Sequence, residues 1–307
     1  MAAKSNEKLM IILAFVAIYF IWGSTYLFNK ILVQDYPPFL LAGIRFTLAA
    51  IIIFAIAKWN KIPFDTTKVR ARNAAIAGIL MLTIGNGAAV WALQYVDSGI
   101  SAMLVSSQPL FLLLMMYFLD GKKVPAKSIL GIALGILGIY FLVSDQALAT
   151  SANFYKGVLM VLIAVLMWAY GSYFVAKSEL PRNHFVNSGV QMIFAGLSLF
   201  VISLLLGEDW HSLDHITWKA GLSWGYLVIF GSVIAFTAFN FLLKKVSAEK
   251  VSTNTYVNPV VALFLGWLFL SEPITLRALF ASALLLLGVF FINTKMEMKW
   301  LNKKRVP

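Results

Sequence analysis

The chain of 307 residues contains no cysteine, only three histidines and few charged side chains, which make up 12% of the sequence. Without cysteine, disulfide bridges, thiolate nucleophiles and cysteine-based metal sites are excluded. Soluble domains carry about 25% charged residues, so polar side chains are too scarce here to cover a water-soluble globule of this length. The hydrophobic content of 61% instead predicts an all-α integral membrane protein whose partner is the lipid bilayer.

Ten apolar segments are long enough to cross a bilayer, which takes roughly 17–25 mostly apolar residues. The predicted spans are residues 9–32, 38–57, 74–95, 98–119, 127–144, 155–177, 186–206, 220–243, 249–270 and 275–293. The net charge of +12 does not indicate nucleic acid, because the basic residues lie in short clusters between the spans. With the N-terminus inside, twenty Lys and Arg face the cytoplasm and four face outward. This bias predicts ten spans with both termini cytoplasmic.

The first five spans and the last five share sequence patterns, which indicates an internal duplication. The run WGSTY that begins at Trp22 corresponds to the run YGSYF that begins at Tyr170. Because five spans is an odd number, the second copy must enter the membrane in the opposite sense, as an inverted repeat. We therefore predict two five-helix halves at residues 9–144 and 155–293, followed by a basic cytoplasmic tail at residues 294–307.

A proline preceded by an amide side chain interrupts the fourth span and again the ninth. The pairs are Gln108-Pro109 and Asn258-Pro259, which are 150 residues apart. An interior proline removes a helical hydrogen bond, and a membrane helix tolerates the break only where protein or a water-lined cavity satisfies the backbone. We predict helix breaks at both prolines, facing each other across a solute pathway. Inverted repeats with central sites on broken helices are typical of secondary transporters.

Together these features resemble the EamA family of the drug/metabolite transporter superfamily. The resemblance rests on the two halves, the WGST run from Trp22, the Arg-Phe pair from Arg45 and the two amide–proline pairs, and it covers roughly residues 9–293. The chain keeps the expected Glu272, but an Asp-Gly pair at Asp120 stands where the family usually has a glutamate. Family members export amino acids, related metabolites or toxic organic compounds, so the resemblance implies export.

Polar and aromatic side chains inside the spans are the candidates for contact with a solute. Amides offer two donors and an acceptor, and Trp and Tyr combine an apolar face with a polar group. A structural interpretation stays open for each, because amides can satisfy a kinked backbone and small or aromatic residues can pack helices. The predicted solute-binding residues are Trp22, Ser24, Thr25, Asn86, Trp91, Gln108, Trp168, Tyr170, Ser172, Asn240, Tyr256 and Asn258.

Arg45 is the only basic residue clearly inside a predicted span. The cost of an arginine in hydrocarbon makes it a functional candidate. It also lies about two helical turns from the outer end, where its side chain could reach the lipid headgroups. Its counterpart in the second half is the neutral Gln191. Two interpretations stay open: a structural anchor, and a gate or anion contact that binds a carboxylate.

Acidic residues are missing from the middle of every predicted span. Proton relays usually keep a carboxylate there, so facilitated diffusion and coupling through an end residue such as Asp120 or Glu272 both stay open. His211 and His215 are four residues apart, a spacing that can hold a metal. They lie in a polar connection, where we expect a solvated loop. The sequence predicts neither a metal nor a cofactor.

The pattern as a whole favours a secondary transporter that exports small organic, amino-acid-like metabolites by alternating access through a central cavity. Efflux of drugs or organic cations, or of nucleoside-type metabolites, is the alternative. A membrane-embedded enzyme requires a nucleophile–base pair or a metal cluster at depth, which the sequence does not indicate. We expect a multi-pass protein of the bacterial inner membrane with a small-molecule solute as its partner, and either a monomer or a homodimer.

Overall fold

The computed structural model describes residues 2–121, 124–144, 152–246, 251 and 253–293. These residues form helices joined by short connections and contain no β-strand. Seven helices are long and apolar enough to cross a membrane: Glu7–Leu32, Pro38–Trp59, Lys68–Ala92, Ser98–Asp120, Phe154–Lys177, His184–Leu205 and Trp218–Leu243. Three shorter apolar helices are Lys127–Val143, Asn254–Leu270 and Leu276–Ile292. The predicted all-helical class is confirmed for the described part of the chain.

We number the described helices in chain order, and helical segments that follow one another within one span share a number. Their bounds are α1 (Ala2–Val16, π-helical Ala17–Ile21 and Trp22–Leu32), α2 (Pro38–Trp59), α3 (Lys68–Gly78, π-helical Ile79–Asn86 and Gly87–Ala92), α4 (Ser98–Val105 and Gln108–Asp120), α5 (Ala126–Val143), α6 (Phe154–Lys177), α7 (His184–Leu205), α8 (Trp218–Tyr226, π-helical Leu227–Ile234 and Ala235–Lys245), α9 (Asn254–Leu270) and α10 (Leu276–Asn293).

The predicted span boundaries lie within a few residues of these helices, with three exceptions. Helix α1 begins at Ala2 rather than at residue 9. Helix α3 begins at Lys68 rather than at residue 74, because the Thr67 hydroxyl caps it by accepting a hydrogen bond from the Arg70 amide at 3.2 Å. The predicted start of the ninth span at residue 249 lies outside the described residues, as does the predicted tail at 294–307.

Three of the described helices contain a π-helical segment, which the sequence did not predict. The segments of α3 and α8 are both eight residues long and begin 148 residues apart, at Ile79 and Leu227. Their equal length and spacing are what a duplicated unit would produce. Such π-helical segments change the pairing of backbone carbonyls and occur frequently at functional sites.

Helix α4 is interrupted at Ser106 and Ser107, directly before Gln108-Pro109. Both serine hydroxyls donate to carbonyl oxygens three residues back, Ser106 to Met103 and Ser107 to Leu104, each at 2.6 Å. The protein thus satisfies part of the interrupted backbone internally, as an apolar environment requires. The break predicted in the fourth span is therefore present.

The break predicted at Pro259 is wrong, because α9 runs without interruption from Asn254 to Leu270. A proline removes only one helical hydrogen bond, and close packing against α1 holds the helix on both sides of it. At Gly23 of α1, an added Cβ would lie 2.7 Å from the Cβ of Val261 and 3.1 Å from the Asn258 carbonyl oxygen.

Two helix pairs pack along much of their length, α2 with α7 and α5 with α10. These are the second and fifth helices of each predicted half, each packed on its counterpart. Where α5 crosses α10, a Cβ added to Gly288 would lie 2.6 Å from the Gly131 carbonyl oxygen. Glycine at this crossing lets the two backbones approach closely.

We expect Gly288→Ala to lower the melting temperature, because the added methyl group must displace backbone of α5 rather than a flexible side chain. Overpacking of this kind costs about 1–3 kcal/mol. The control is Gly225→Ala in α8, where an added Cβ has no described atom within 4 Å. Thermal unfolding of both variants in the same detergent measures the difference. Equal melting temperatures would contradict the tight α5–α10 crossing.

Candidate functional site

A cavity of about 110 Å³ lies among α1, α2, α3, α4, α6, α8 and α9, so both predicted halves contribute to it. Its wall is mostly apolar and aromatic, with several amide and hydroxyl groups and one guanidinium, and none of the described residues that line it is acidic. Sites for small organic molecules typically have this composition, in which a few polar groups within an apolar wall orient the ligand.

Many of the residues predicted to contact a solute line this cavity. They are Trp22, Thr25, Asn86, Gln108, Trp168 and Asn258, together with Arg45 and Pro259. Both amide–proline pairs thus contribute to one cavity, although only one of them interrupts its helix.

The aromatic wall of the cavity is held by contacts between the two predicted halves. The rings of Trp22 and Trp168 meet edge to face, with centroids 5.9 Å apart. The Trp22 indole N–H donates to the Gly231 carbonyl oxygen at 3.2 Å, within the π-helical segment of α8. The polar atom of Trp22 is therefore engaged, and its ring remains as an apolar wall.

The Asn258 side chain joins α9 to the π-helical segment of α1. With its amide nitrogen turned toward α1, it donates to the carbonyl oxygens of Tyr19 at 2.8 Å and Ile18 at 3.0 Å. Tyr19 and Thr253 add a hydrogen bond between their hydroxyls at 2.6 Å. Asn258 thus has a structural role even though it also lines the cavity.

Three of the predicted polar residues do not line the cavity and form hydrogen bonds elsewhere. The Ser24 and Tyr226 hydroxyl oxygens are 2.6 Å apart, and the Ser172 hydroxyl donates to the Trp168 carbonyl oxygen at 2.8 Å. The Asn240 amide donates to the Ser188 hydroxyl at 2.9 Å. These hydrogen bonds agree with a structural role for each of the three residues.

Four other predicted residues also lie away from the cavity lining. Trp91 packs against the Tyr95 ring at a centroid distance of 4.9 Å. Tyr170 is 39% exposed and faces away from the interior. Pro109 is buried at the start of the second segment of α4, and Tyr256 is half-buried near the start of α9.

Asn29 is a cavity residue that the sequence analysis missed. It follows Trp22 by seven residues and Thr25 by four, so all three lie on one face of α1. Its amide nitrogen donates to the Thr25 carbonyl oxygen at 2.9 Å, and its side-chain oxygen is buried with no hydrogen-bond partner among the described residues. The helical spacing from Trp22 was the signal that could have identified it. Tyr26, Ser106, Asn254 and Thr255 also line the cavity without having been predicted.

Arg45 lies inside the protein and does not reach the lipid headgroups, since it is only 3% exposed. Its Nε donates to the Ser232 hydroxyl at 2.8 Å, and its Cζ lies 4.9 Å from the centroid of the Phe46 ring. Its Nη1 is buried without a hydrogen-bond partner in the described part of the chain. Snorkelling is therefore excluded as the role of Arg45.

At one end of the bundle, the buried Glu272 carboxylate caps the start of α4. Oε1 accepts from the Ser98 amide at 2.8 Å, and Oε2 accepts from the Ser98 hydroxyl at 2.8 Å and the Gly99 amide at 3.2 Å. Nearby, the Lys30 ammonium donates to the Leu93 carbonyl oxygen at 2.7 Å and lies 4.0 Å from Asp97. Burial raises the pKa of Asp97, and the negative charge of Glu272 adds to the increase while Lys30 opposes it.

Other charged residues lie where α3, α4 and α6 end or begin. Asp120 accepts a hydrogen bond from the Tyr173 hydroxyl at 2.6 Å and forms an ion pair with Lys177. Arg70 and Glu179 form a further ion pair at 3.3 Å. All these groups lie outside the cavity lining, so the charged carboxylates of the described chain are separated from it.

Comparison with known proteins gives the family of the chain. A model of the EamA-like transporter family matches it at residues 9–144 and 155–294. The chain belongs to the EamA-like transporter family. It is therefore a membrane transporter, as the sequence motifs predicted, and the cavity is the candidate solute site of an EamA-like protein.

Relatives of this EamA-like chain come from bacteria and plants. It is 37% identical to the uncharacterised inner membrane transporter YedA of Escherichia coli (strain K12) over 256 residues, which cover 82% of this chain and 80% of YedA. It is 26% identical to the uncharacterised transporter YoaV of Bacillus subtilis (strain 168), covering 92% and 96% of the two chains. Identity to the chloroplastic WAT1-related protein At3g02690 of Arabidopsis thaliana is 24%, covering 90% of this chain and 67% of that protein.

A solved crystal structure shares the fold. It superposes with a TM-score of 0.65 over 91% of this chain and 94% of the other, at 17% sequence identity. At this identity the likeness concerns the fold alone.

Proposed function

We propose that the chain is a secondary transporter that exports small organic metabolites, amino-acid-like solutes in particular, by alternating access through the cavity. The observation that carries the proposal is a single cavity built from both predicted halves, with aromatic walls and scattered amide and hydroxyl groups. Movement of one half against the other would open such a cavity first to one side and then to the other.

The proposed arrangement in the membrane has ten spans, made of two inverted five-helix halves at residues 9–144 and 155–293, with both termini in the cytoplasm. The distribution of Lys and Arg along the sequence supports it, as do the equal π-helical segments of α3 and α8. In this arrangement the Glu272 cap lies at the outer end. The inner membrane location named for YedA supports the same location here.

The chemistry of the cavity wall favours amino-acid-like solutes over organic cations. A buried guanidinium would repel a cationic solute, and no lining residue in the described part of the chain carries a compensating negative charge. The missing carboxylate also supports facilitated exchange without a proton relay in the cavity. Coupling of transport to protons would have to use Asp120 or Glu272, which lie at helix ends.

Counterflow in liposomes tests the proposed function. Purified protein is reconstituted into vesicles preloaded with an unlabelled solute, and uptake of the same solute in labelled form is measured for amino acids, organic cations and nucleosides. We expect transient accumulation of at least one amino acid. Accumulation of cations or nucleosides alone would overturn the proposed solute class, and accumulation of none would contradict the proposed function.

We expect Gln108→Leu and Asn258→Leu to differ in their effects. Gln108→Leu removes an amide from the cavity wall. Because one hydrogen bond to the solute is lost, the KM of exchange should rise by about 2- to 10-fold. The melting temperature should change little. Asn258→Leu also removes the bonds to the Tyr19 and Ile18 carbonyl oxygens, so it should lower the melting temperature as well. Unchanged exchange in Gln108→Leu would remove Gln108 from the site.

A further inference from the structure

Arg45 is a buried cation whose charge the described protein does not neutralise. It is 3% exposed, and its hydrogen bond goes to a neutral hydroxyl, that of Ser232. In the described part of the chain no carboxylate forms an ion pair with it, and the cavity wall that it joins contains no Asp or Glu. Buried charges in proteins are ordinarily paired, so the counter-charge of Arg45 has to come from elsewhere.

The guanidinium of Arg45 is held in one orientation, and one of its nitrogen atoms has no hydrogen-bond partner among the described residues. The bond from Nε to Ser232 in α8 and the position of Cζ over the Phe46 ring orient its plane. Nη1 is buried without a hydrogen-bond partner among the described residues, although an unmade bond to a charged group is costly. A rigid, partly unsatisfied guanidinium is suited to binding a planar carboxylate.

Gly231 lets α8 pack closely against Arg45 and α1. A Cβ added to Gly231 would lie 3.1 Å from Nη2 of Arg45 and 2.9 Å from Cγ2 of Thr25, so a larger side chain at this position would crowd the guanidinium. Gly231, Thr25 and Arg45 all line the cavity.

Two unsatisfied acceptors line the same cavity. The side-chain oxygens of Asn29 and Asn86 are buried and have no hydrogen-bond partner within the described chain. Among the described residues that line the cavity, one cationic donor and two neutral acceptors are therefore unsatisfied. A solute with an anionic group and an N–H or O–H donor would satisfy all three.

From these observations we infer that Arg45 is the anion-binding residue of the cavity and that the transported solute carries a carboxylate, which pairs with its Nη atoms. Asn29 and Asn86 accept hydrogen bonds from donors elsewhere on the same solute. The single guanidinium matches one negative charge, which excludes multiply charged solutes such as nucleotides. This inference rests on the proposed function and names the group by which the solute is held.

Three probes with one carbon skeleton test the inference on the purified full-length chain. They are L-leucine, with a carboxylate and an ammonium group, 4-methylpentanoate, with the carboxylate alone, and L-leucinamide, without the carboxylate. Binding is measured by the shift of melting temperature with probe concentration, on the wild-type protein, Arg45→Gln, Arg45→Lys and Arg70→Gln. Arg70 lies outside the cavity and serves as the matched control.

The expected result is that both carboxylate probes stabilise the wild-type protein and L-leucinamide does not. Arg45→Gln should weaken carboxylate binding by about 10- to 100-fold, the range for a hydrogen bond to a charged group. Arg45→Lys, which keeps the charge but not the fork geometry, should weaken it less, and Arg70→Gln should match the wild type. The inference is overturned if leucinamide binds as well as leucine, if no carboxylate probe binds, or if Arg45→Gln keeps the preference.

If Arg45→Gln does not fold, the wild-type comparison of the three probes still tests the need for a carboxylate, and Arg45→Lys tests the role of Arg45. Failure of this inference is also distinguishable from failure of the proposed function. Counterflow of an uncharged solute without carboxylate binding would overturn the role of Arg45 and leave a transporter. Arg45-dependent carboxylate binding without counterflow of any solute would leave a binding site and contradict transport.

Discussion

Ala89→Trp is expected to reduce solute exchange to the background rate of protein-free liposomes while the protein stays folded. Ala89 is half-buried in α3 and lines the cavity. An indole at this position would occupy much of a space of about 110 Å³, and an occupied cavity cannot admit a solute. The measurement is counterflow of whichever solute the wild-type protein exchanges.

The matched control introduces the same side chain on the outside of the molecule. Ala55 is exposed in the last two turns of an apolar helix, α2, so Ala55→Trp adds an indole without touching the cavity. It should exchange solute at the wild-type rate. Equal rates for Ala89→Trp and Ala55→Trp, at equal amounts of folded protein, would mean that the solute does not pass through this cavity.

Glu272→Ala is expected to cause the largest loss of stability among these substitutions. It removes the acceptor for the Ser98 and Gly99 amides and for the Ser98 hydroxyl, all of which are buried. Each unsatisfied buried donor costs about 1–3 kcal/mol, so the three donors together predict a loss of about 3–9 kcal/mol. Thermal unfolding in detergent should show a fall in melting temperature of about 5–14 °C.

Two control variants separate the cap from a general effect of losing a carboxylate. Glu272→Gln keeps an acceptor oxygen and the side-chain volume, so it should lose less stability than Glu272→Ala. Glu179→Ala removes a carboxylate that is 73% exposed and pairs with Arg70, and exposed pairs are worth only about 0–1 kcal/mol. A melting temperature for Glu272→Ala equal to that of Glu179→Ala would contradict the buried cap.

The helices of this chain could be predicted from the sequence because membrane spans follow from length and hydrophobicity alone. What the sequence could not show is how a helix behaves at a proline. Gln108-Pro109 and Asn258-Pro259 look equivalent, yet only α4 is interrupted. The difference depends on neighbours: Ser106 and Ser107 satisfy the break in α4, whereas packing against Gly23 keeps α9 continuous through Pro259.

The residues that line the cavity could be predicted only in part, and there is a common cause. Of the residues predicted to contact a solute, Trp22, Gln108 and Trp168 line the cavity, whereas Asn240 and Ser24 form hydrogen bonds between helices. The sequence of a single span shows that a side chain is polar, but it does not show which face of the helix lies toward the protein interior. Asn29 could have been predicted from the sequence, since it lies on the same face of α1 as Trp22. The π-helical segments that place the Gly231 carbonyl beside Trp22 have no sequence signal that we recognise.

Alternating access is the central claim, and labelling of a cysteine in the cavity tests it most directly. The chain contains no cysteine, so Ala89→Cys introduces a single thiol into the cavity wall. A membrane-impermeant thiol reagent is applied to vesicles of each orientation, with Leu48→Cys, exposed at the middle of α2, as the unreactive control. We predict that Ala89→Cys is labelled from both sides and that an exchanged solute slows labelling. Labelling from one side only, with or without solute, would contradict the account.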